Sequence, residues 1–264
     1  MSEPPAGLVD RVAGRTMVVT GAGNGLGRAM TLALVARGAR VVLVGRRRDS
    51  LEAVAAEADG LAGSVRVATA DVSDPASVAA LAAALADETV EVLVNNAGVP
   101  GPVAPLVDIS PQDWDDVFAI NVRGIYLICR AFLPAMIDRR AGDVINIASV
   151  SGKRPLARRT PYCASKMAVI GLTTTLAAEV GPLGITVNSL SPGPVRGPRM
   201  DRNMRLESER LGITVEEATE RFVSRAALGR MLEEHEVGQA VVAMLNMPGL
   251  HAADIDLSAG MVAR

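Results

Sequence analysis

The chain has 264 residues, 49% of them hydrophobic and 21% charged, enough for a sizeable core and unlike a disordered chain. Its 27 Lys and Arg against 29 Asp and Glu leave a net charge of −2, and aromatic residues make up only 2%, so neither a nucleic-acid-binding face nor a membrane surface protein is expected. Two cysteines, Cys129 and Cys163, and two histidines, His235 and His251, lack the number and spacing for a disulfide framework or a metal site.

The first residues, MSEPPAGLVDRVAGR, carry no apolar stretch of the secretory type, and no uncharged apolar run approaches the roughly 18–20 residues that span a bilayer. A cytoplasmic protein of one domain, 1–264, is the expectation. From there on, short Val/Ile-rich runs alternate with longer helical patterns. Residues 16–20, 40–44, 65–69, 91–95, 143–148, 185–190 and 254–257 read as seven buried strands. Asp74-Pro75, Ser110-Pro111 and Thr160-Pro161 each place a capping residue before a proline, the usual opening of a helix. The alternation predicts an α/β fold: a doubly wound, seven-stranded parallel sheet of Rossmann type with helices on both faces. Residues 194–250 contain no strand pattern, and the charged part, 201–225, reads as one or two amphipathic helices; a helical lid over a ligand is expected there.

The first strand runs into Thr20-Gly21-Ala22-Gly23-Asn24-Gly25-Leu26-Gly27, followed by a helical pattern over 28–37. Glycines permit positive φ and close backbone approach, and a helix start offers unpaired N–H groups to a pyrophosphate. Gly21, Asn24, Gly25, Leu26 and Gly27 are therefore candidate cofactor contacts. The second strand ends in Gly45-Arg46-Arg47-Arg48 with no acidic residue to accept from a ribose 2′-hydroxyl. Arg46 suits a 2′-phosphate instead, which favours NADP(H) over NAD(H).

Tyr162 and Lys166 stand four apart on one predicted helix face, where an ammonium would favour the phenolate of a group whose ordinary pKa is about 10. Ser149 lies at the carboxyl end of the fifth strand, on the sheet edge where doubly wound folds bind ligands. Together with Asn95-Asn96-Ala97-Gly98, Ile120-Asn121-Val122-Arg123-Gly124 and Ser191-Pro192-Gly193, these motifs stand in the order of the short-chain dehydrogenase/reductases. The chain resembles that family from about Gly14 to Val262, and within it the 3-oxoacyl-reductase-like branch. Ser149 precedes Tyr162 by thirteen residues, a separation typical of the family.

The resemblance implies an oxidoreductase that moves hydride between NADP(H) and a carbonyl/secondary-alcohol pair. It makes Tyr162 the general acid/base, Ser149 the group that positions the substrate oxygen, Lys166 the group that lowers the Tyr162 pKa and binds the nicotinamide ribose, and Asn121 part of a proton relay. Asp71 and Val72 would touch the adenine, Asn95, Ala97 and Gly98 the adenosine side, and Pro192, Gly193 and Val195 the nicotinamide. A homotetramer packed through the apolar helical segments 125–136 and 167–178 is also implied. An NAD-dependent alcohol or polyol dehydrogenase is the alternative, and a non-catalytic nucleotide sensor a more distant one.

Three departures from the family pattern stand out. Gly197 replaces a frequent threonine near the cofactor amide. Asp143 and Leu183 stand where carrier-protein reductases often carry basic residues, and Gly45 lacks the acid of NAD-dependent members. Lys153, Arg154, Arg158 and Arg159 precede Tyr162, and Arg196 and Arg199 follow the sixth strand. Arg154, Arg159 and Arg196 are candidate contacts for an anionic substrate, a keto acid or 3-oxoacyl compound. The same basic residues could instead pair with Glu207, Glu209 and Glu216 or sit at an oligomer interface.

Overall fold

The computed structural model describes residues 10–262. Strands β1 (Thr16–Thr20), β2 (Arg40–Gly45), β3 (Ser64–Thr69), β4 (Val90–Asn95), β5 (Gly142–Ile147), β6 (Ile185–Pro192) and β7 (Asp254–Leu257) form a parallel sheet in the order β3-β2-β1-β4-β5-β6-β7. All seven expected strands are present; β6 runs on to Pro192, and β5 ends at Ile147, one residue short of the expected limit. Helices α1 (Gly25–Ala36), α2 (Arg48–Glu57), α3 (Pro75–Ala84), α4 (Pro111–Phe118), α5 (Gly124–Arg139), α6 (Thr160–Val180), α7 (Pro198–Leu211), α8 (Val215–Val223) and α9 (Glu234–Leu245) connect them. This is a doubly wound Rossmann fold.

Alternation along the strands sorts the core into two layers. Val18, Val42, Leu93, Val144 and Val187 pack with α3, α5 and α6, whereas Met17, Val41, Leu43, Val92 and Ile145 pack with α1, α2 and α9. Asp74 and Ser110 cap α3 and α4 through the amides of Ala76 and Asp113, each at 3.0 Å. Thr160 does not cap α6: the helix already includes it, and Arg159 precedes the first turn without a side-chain cap. Trp114 stacks on Phe118 within α4, with ring centroids 5.0 Å apart. His251 joins β6 to α6, accepting from the Val187 amide and facing the Ala177 carbonyl at 3.1 Å. The continuous helical stretch Pro111–Arg139 is long and apolar enough to cross a bilayer, but half of its apolar window is buried within the fold.

The expected lid over 194–250 divides in two. Only α7 and α8 project as a charged pair beside the cleft. Helix α9 belongs to the scaffold, burying Val237, Val241, Met244 and Leu245 in the core, with Gly238 against α1 so closely that a Cβ would stand 2.7 Å from the Ala29 carbonyl oxygen.

Asn95, expected on the adenosine side, lies instead inside the sheet. Its Nδ2 donates to Asn146 Oδ1 at 2.9 Å, Asn146 Nδ2 donates to Thr173 Oγ1 at 3.0 Å, and Thr173 donates to the Val169 carbonyl. As the last residue of β4 it points into a layer that also holds Cys129, 3.5 Å away. Asn146→Ala removes the centre of this chain, taking from Asn95 Nδ2 its amide acceptor and from Thr173 Oγ1 its donor, and leaves Asn95 Nδ2 with only the weak Cys129 thiol. It should cost about 2–3 kcal/mol, read as a lower urea midpoint with unchanged denaturant slope.

Candidate active site

The cleft opens at the carboxyl ends of the strands where β1 and β4 lie side by side and the strand order reverses, the switch point of a doubly wound sheet. Its volume of about 1420 Å³ is larger than a single small-molecule pocket and extends from the glycine loop to α7 and α8.

At one end, Gly21 adopts φ +66° at the close of β1, and a Cβ there would stand 2.9 Å from Ala97 Cα. A Cβ on Gly27 would run into the Gly21 carbonyl oxygen, so α1 starts flush against the loop. Thr20 Oγ1 accepts from the amides of Asn96 and Ala97, both at 3.0 Å, and Asn96 Nδ2 donates to the Thr20 carbonyl at 2.9 Å. Asn96, rather than Asn95, is thus the amide that faces the cleft. No side chain caps α1, which leaves its first-turn N–H groups to the cleft. A tight glycine cradle, uncapped helix start and elongated cleft fit a dinucleotide, whose pyrophosphate Gly25, Leu26 and Gly27 could hold.

Arg46 and Arg47 stand exposed at the end of β2 on the rim, and Asp71 and Val72 line the cleft beside them after the neighbouring strand β3. Asp71 Oδ1 accepts from Ser73 Oγ at 2.6 Å and from the Ser73 amide at 2.9 Å. Chiefly these bonds, with the Arg46 charge, hold its carboxyl below the usual range against its partial burial. Asn24, Ala97, Gly98, Pro192, Gly193 and Val195 also line the cleft.

Farther in, the expected quartet converges. Ser149 leaves the end of β5 almost buried, its Oγ accepting from the Ser151 amide at 3.1 Å. Tyr162, in the first turn of α6, lines the cleft with Ser149, whose hydroxyl helps to lower the phenol pKa. Lys166, one turn later, is 5% exposed; its Nζ donates to the Ile147 carbonyl at 2.7 Å and lies 5.9 Å from the Tyr162 ring centroid. Asn121 sits in a π turn, Ala119–Arg123, between α4 and α5. Its Nδ2 donates to the Val99 carbonyl and Ser165 Oγ, each at 3.0 Å, and its Oδ1 accepts from the Val99 amide at 2.8 Å. A Cβ on Gly98 would lie 3.2 Å from Asn121 Oδ1 and 3.6 Å from Lys166 Nζ, so both groups border the same gap.

Another group completes this end. Arg199, in the first turn of α7, places its guanidinium carbon 5.0 Å from the Tyr162 ring centroid. Burial pushes the Tyr162 pKa up, but the charges of Arg199 and Lys166, helped by the polar groups of Ser149 and Arg199, bring it below its ordinary value. Burial lowers the Lys166 pKa, opposed by Tyr162 and aided by Arg199. Sequence reasoning noted Arg199 in a basic run but did not select it, because only the start of α7 at Pro198 turns it toward the phenol.

The remaining basic residues separate. Arg196 lines the cleft, largely exposed, and is ion-paired with Glu233 at 2.9 Å. Arg154 donates to the Met261 carbonyl at 3.0 Å. Lys153 bridges Asp254, at 2.5 Å, and Asp256. Arg159 is buried, hydrogen-bonded to Asn203 of α7 and to the Pro100 carbonyl. Cys163 is only half-buried, and burial pushes its thiol up; the buried Cys129 thiol is pushed up to about 12 for the same reason.

The family profile described as short chain dehydrogenase matches residues 15–209. The chain belongs to the short-chain dehydrogenase/reductase family. It is 41% identical over 184 residues to D-threitol dehydrogenase of Mycolicibacterium smegmatis, covering 69% of this chain and 70% of that one. It is 32% identical to the 3-oxoacyl-(acyl-carrier-protein) reductase FabG of Thermotoga maritima, covering 88% of this chain and 90% of that one. Among solved structures, an actinorhodin polyketide ketoreductase with NADPH matches with a TM-score of 0.87 and 31% identity over 95% of this chain and 98% of that one. An NAD⁺-bound xylitol dehydrogenase matches with a TM-score of 0.88 and 27% identity over 94% and 99%. The family acts on CH–OH and C=O groups, and its 3-oxoacyl-reductase-like branch is represented among these relatives.

The two tyrosines are Tyr126 and Tyr162. In a Tyr126→Phe background, an ultraviolet titration therefore reads Tyr162 alone. Because neighbouring cations lower its pKa, Lys166→Met should move the ionisation to higher pH, and Arg199→Met should do the same; an unmoved midpoint would show that these charges do not reach the phenol.

Proposed function

We propose that this protein is an NADP(H)-dependent oxidoreductase of a carbonyl/secondary-alcohol pair, with Tyr162 as general acid/base. The observation that carries this reading is the phenol held between Ser149, Lys166 and a second cation at the inner end of a dinucleotide-shaped cleft. A bound nicotinamide supplies the hydride in reduction and accepts it in oxidation.

Tyr162 Oη gives its proton to the carbonyl oxygen in reduction and takes it back in oxidation, a role helped by a lowered pKa. Ser149 Oγ holds the same oxygen beside the phenol. Lys166, fixed by the Ile147 carbonyl, stabilises the phenolate and offers its remaining N–H groups to the nicotinamide ribose. Asn121 commits both Nδ2 hydrogens, so its part in a proton relay falls to Oδ1 or to its main-chain carbonyl in the widened π turn. Arg46 favours NADP(H) through the 2′-phosphate. Helices α7 and α8 act as the substrate lid. Tyr126 of α5 and Met167 of α6, each 48% exposed, support burial of these helices between copies in a homotetramer.

The threitol and xylitol dehydrogenase relatives favour a second reading, NAD-dependent oxidation of a polyol with the same four residues. Initial rates with NADPH and NADH over a panel of ketones, and with both oxidised cofactors over polyols, separate the two. Preference for NADPH that reverses in Arg46→Asp supports the first. Tyr162→Phe should lower turnover by at least about a hundredfold while NADPH binding, followed by its fluorescence, stays intact. Retained turnover would remove Tyr162 from the proton step.

A further inference from the structure

The charges around the cleft are not distributed evenly. Arg196 is neutralised by Glu233, Arg210 by Glu207 at 2.6 Å, and Lys153 by Asp254 and Asp256. Among the described residues, no carboxylate forms an ion pair with Arg199, whose guanidinium stands over the Tyr162 ring, or with Arg159, which lines the same cleft. Arg159 is 7% exposed, and Tyr162 lies close enough for its charge to act on it, as do the like charges of Arg199 and Arg202. Its recorded partners are a carbonyl and an amide oxygen, both uncharged. A buried cation without an anionic partner is costly, and the guanidinium fork is matched in shape and charge to a carboxylate.

We propose that Arg199 and Arg159 form a carboxylate site beside Tyr162, and that the substrate is a short oxo acid whose carboxylate lies one or two carbons from the reacting carbonyl. The proposal rests on the oxidoreductase reading above and specifies its substrate class. The length follows from geometry. Arg199 stands over the ring of the phenol that must meet the substrate carbonyl, its guanidinium carbon 5.0 Å from the ring centroid, so a carboxylate held by Arg199 and a carbonyl oxygen held by Tyr162 belong to groups only a few bonds apart. A 2-oxo or 3-oxo acid spans that interval, whereas a long acyl chain would carry its charge past it. In the reduction the carbonyl carbon gains hydride from NADPH, the C=O π pair moves to oxygen, and Tyr162 supplies the proton. NADP⁺ and the hydroxy acid result, with the carboxylate unchanged. Arg159 forms the buried back wall, and Arg199, on the exposed first turn of α7, closes from the lid side.

The test compares kcat/KM with NADPH for pyruvate and acetoacetate beside their methyl esters, in the wild type, Arg199→Met and Arg159→Met. The wild type should prefer at least one acid to its ester. Arg199→Met should lower that acid-to-ester ratio about a hundredfold, a change that a shifted Tyr162 pKa or general loss of structure would not produce, since both act on acid and ester alike. Arg159 is buried, so if Arg159→Met fails to fold, the exposed Arg199→Met carries the comparison. Ester turnover equal to or above acid turnover overturns the carboxylate site, as does an unchanged ratio in Arg199→Met. Reduction of neutral ketones with no reduction of either acid overturns it too, while leaving the oxidoreductase reading standing. If no carbonyl compound consumes NADPH, that broader reading has failed, and calorimetric titration with malonate decides the site alone. Binding that disappears in Arg199→Met supports it, and no binding overturns it.

Discussion

The ammonium of Lys166 is the constraint around which the inner half of the cleft is arranged. A charge taken out of water needs acceptors in fixed places. Here the Ile147 carbonyl at the end of β5 accepts from it, and the Tyr162 phenol, one helical turn back, supplies the opposing charge when ionised. Satisfying both partners requires β5 to end where it does and the first two turns of α6 to cross that end. The next residue in the chain of supports, Ser165, receives a hydrogen bond from Asn121, which in turn clamps the Val99 backbone after β4. Lys166 and its neighbour Ser165 thus tie α6 to the end of β5, to the π turn before α5 and, through Asn121, to the backbone after β4.

Much of this was readable from residue patterns. The strands are short and apolar on both sides because helices cover both faces, and the glycine loop and the Ser149, Tyr162 and Lys166 spacing are local features that survive without knowledge of packing. What failed depended on side-chain direction or on contacts distant in sequence. Asn95 and Asn96 are adjacent and chemically identical, yet strand alternation sends the first into the core with Asn146 and leaves the second at the loop. Arg196 and Arg199 are three residues apart in one basic run. The first meets Glu233 and the second meets the phenol, because α7 begins between them. Helix α9 looked like part of a lid since nothing in its own residues announces that its glycine, Gly238, is the contact point for α1.

The electrostatics follow a gradient of compensation. On the outer parts of α7 and the approach to α9, arginines are paired with acids, as in Arg210 with Glu207 and Arg230 with Glu236. Toward the phenol, compensation passes to carbonyls and aromatic faces. That pattern keeps the outer surface of α7 and α8 near neutrality while concentrating positive potential around the Tyr162 phenol, consistent with a chain whose net charge is only −2.

Lys153 gives the far edge of the sheet an unexpected stake in the chemistry. It follows directly on the short helical turn after Ser149 and grips two acids of β7, one of which also gathers the hydroxyls of Ser189 and Ser191. An edge strand is ordinarily the most expendable part of a sheet. Here it is moored to the turn that follows Ser149, so a change that loosens β7 would be felt as a shift in the inner wall of the cleft before it registered as a loss of folding.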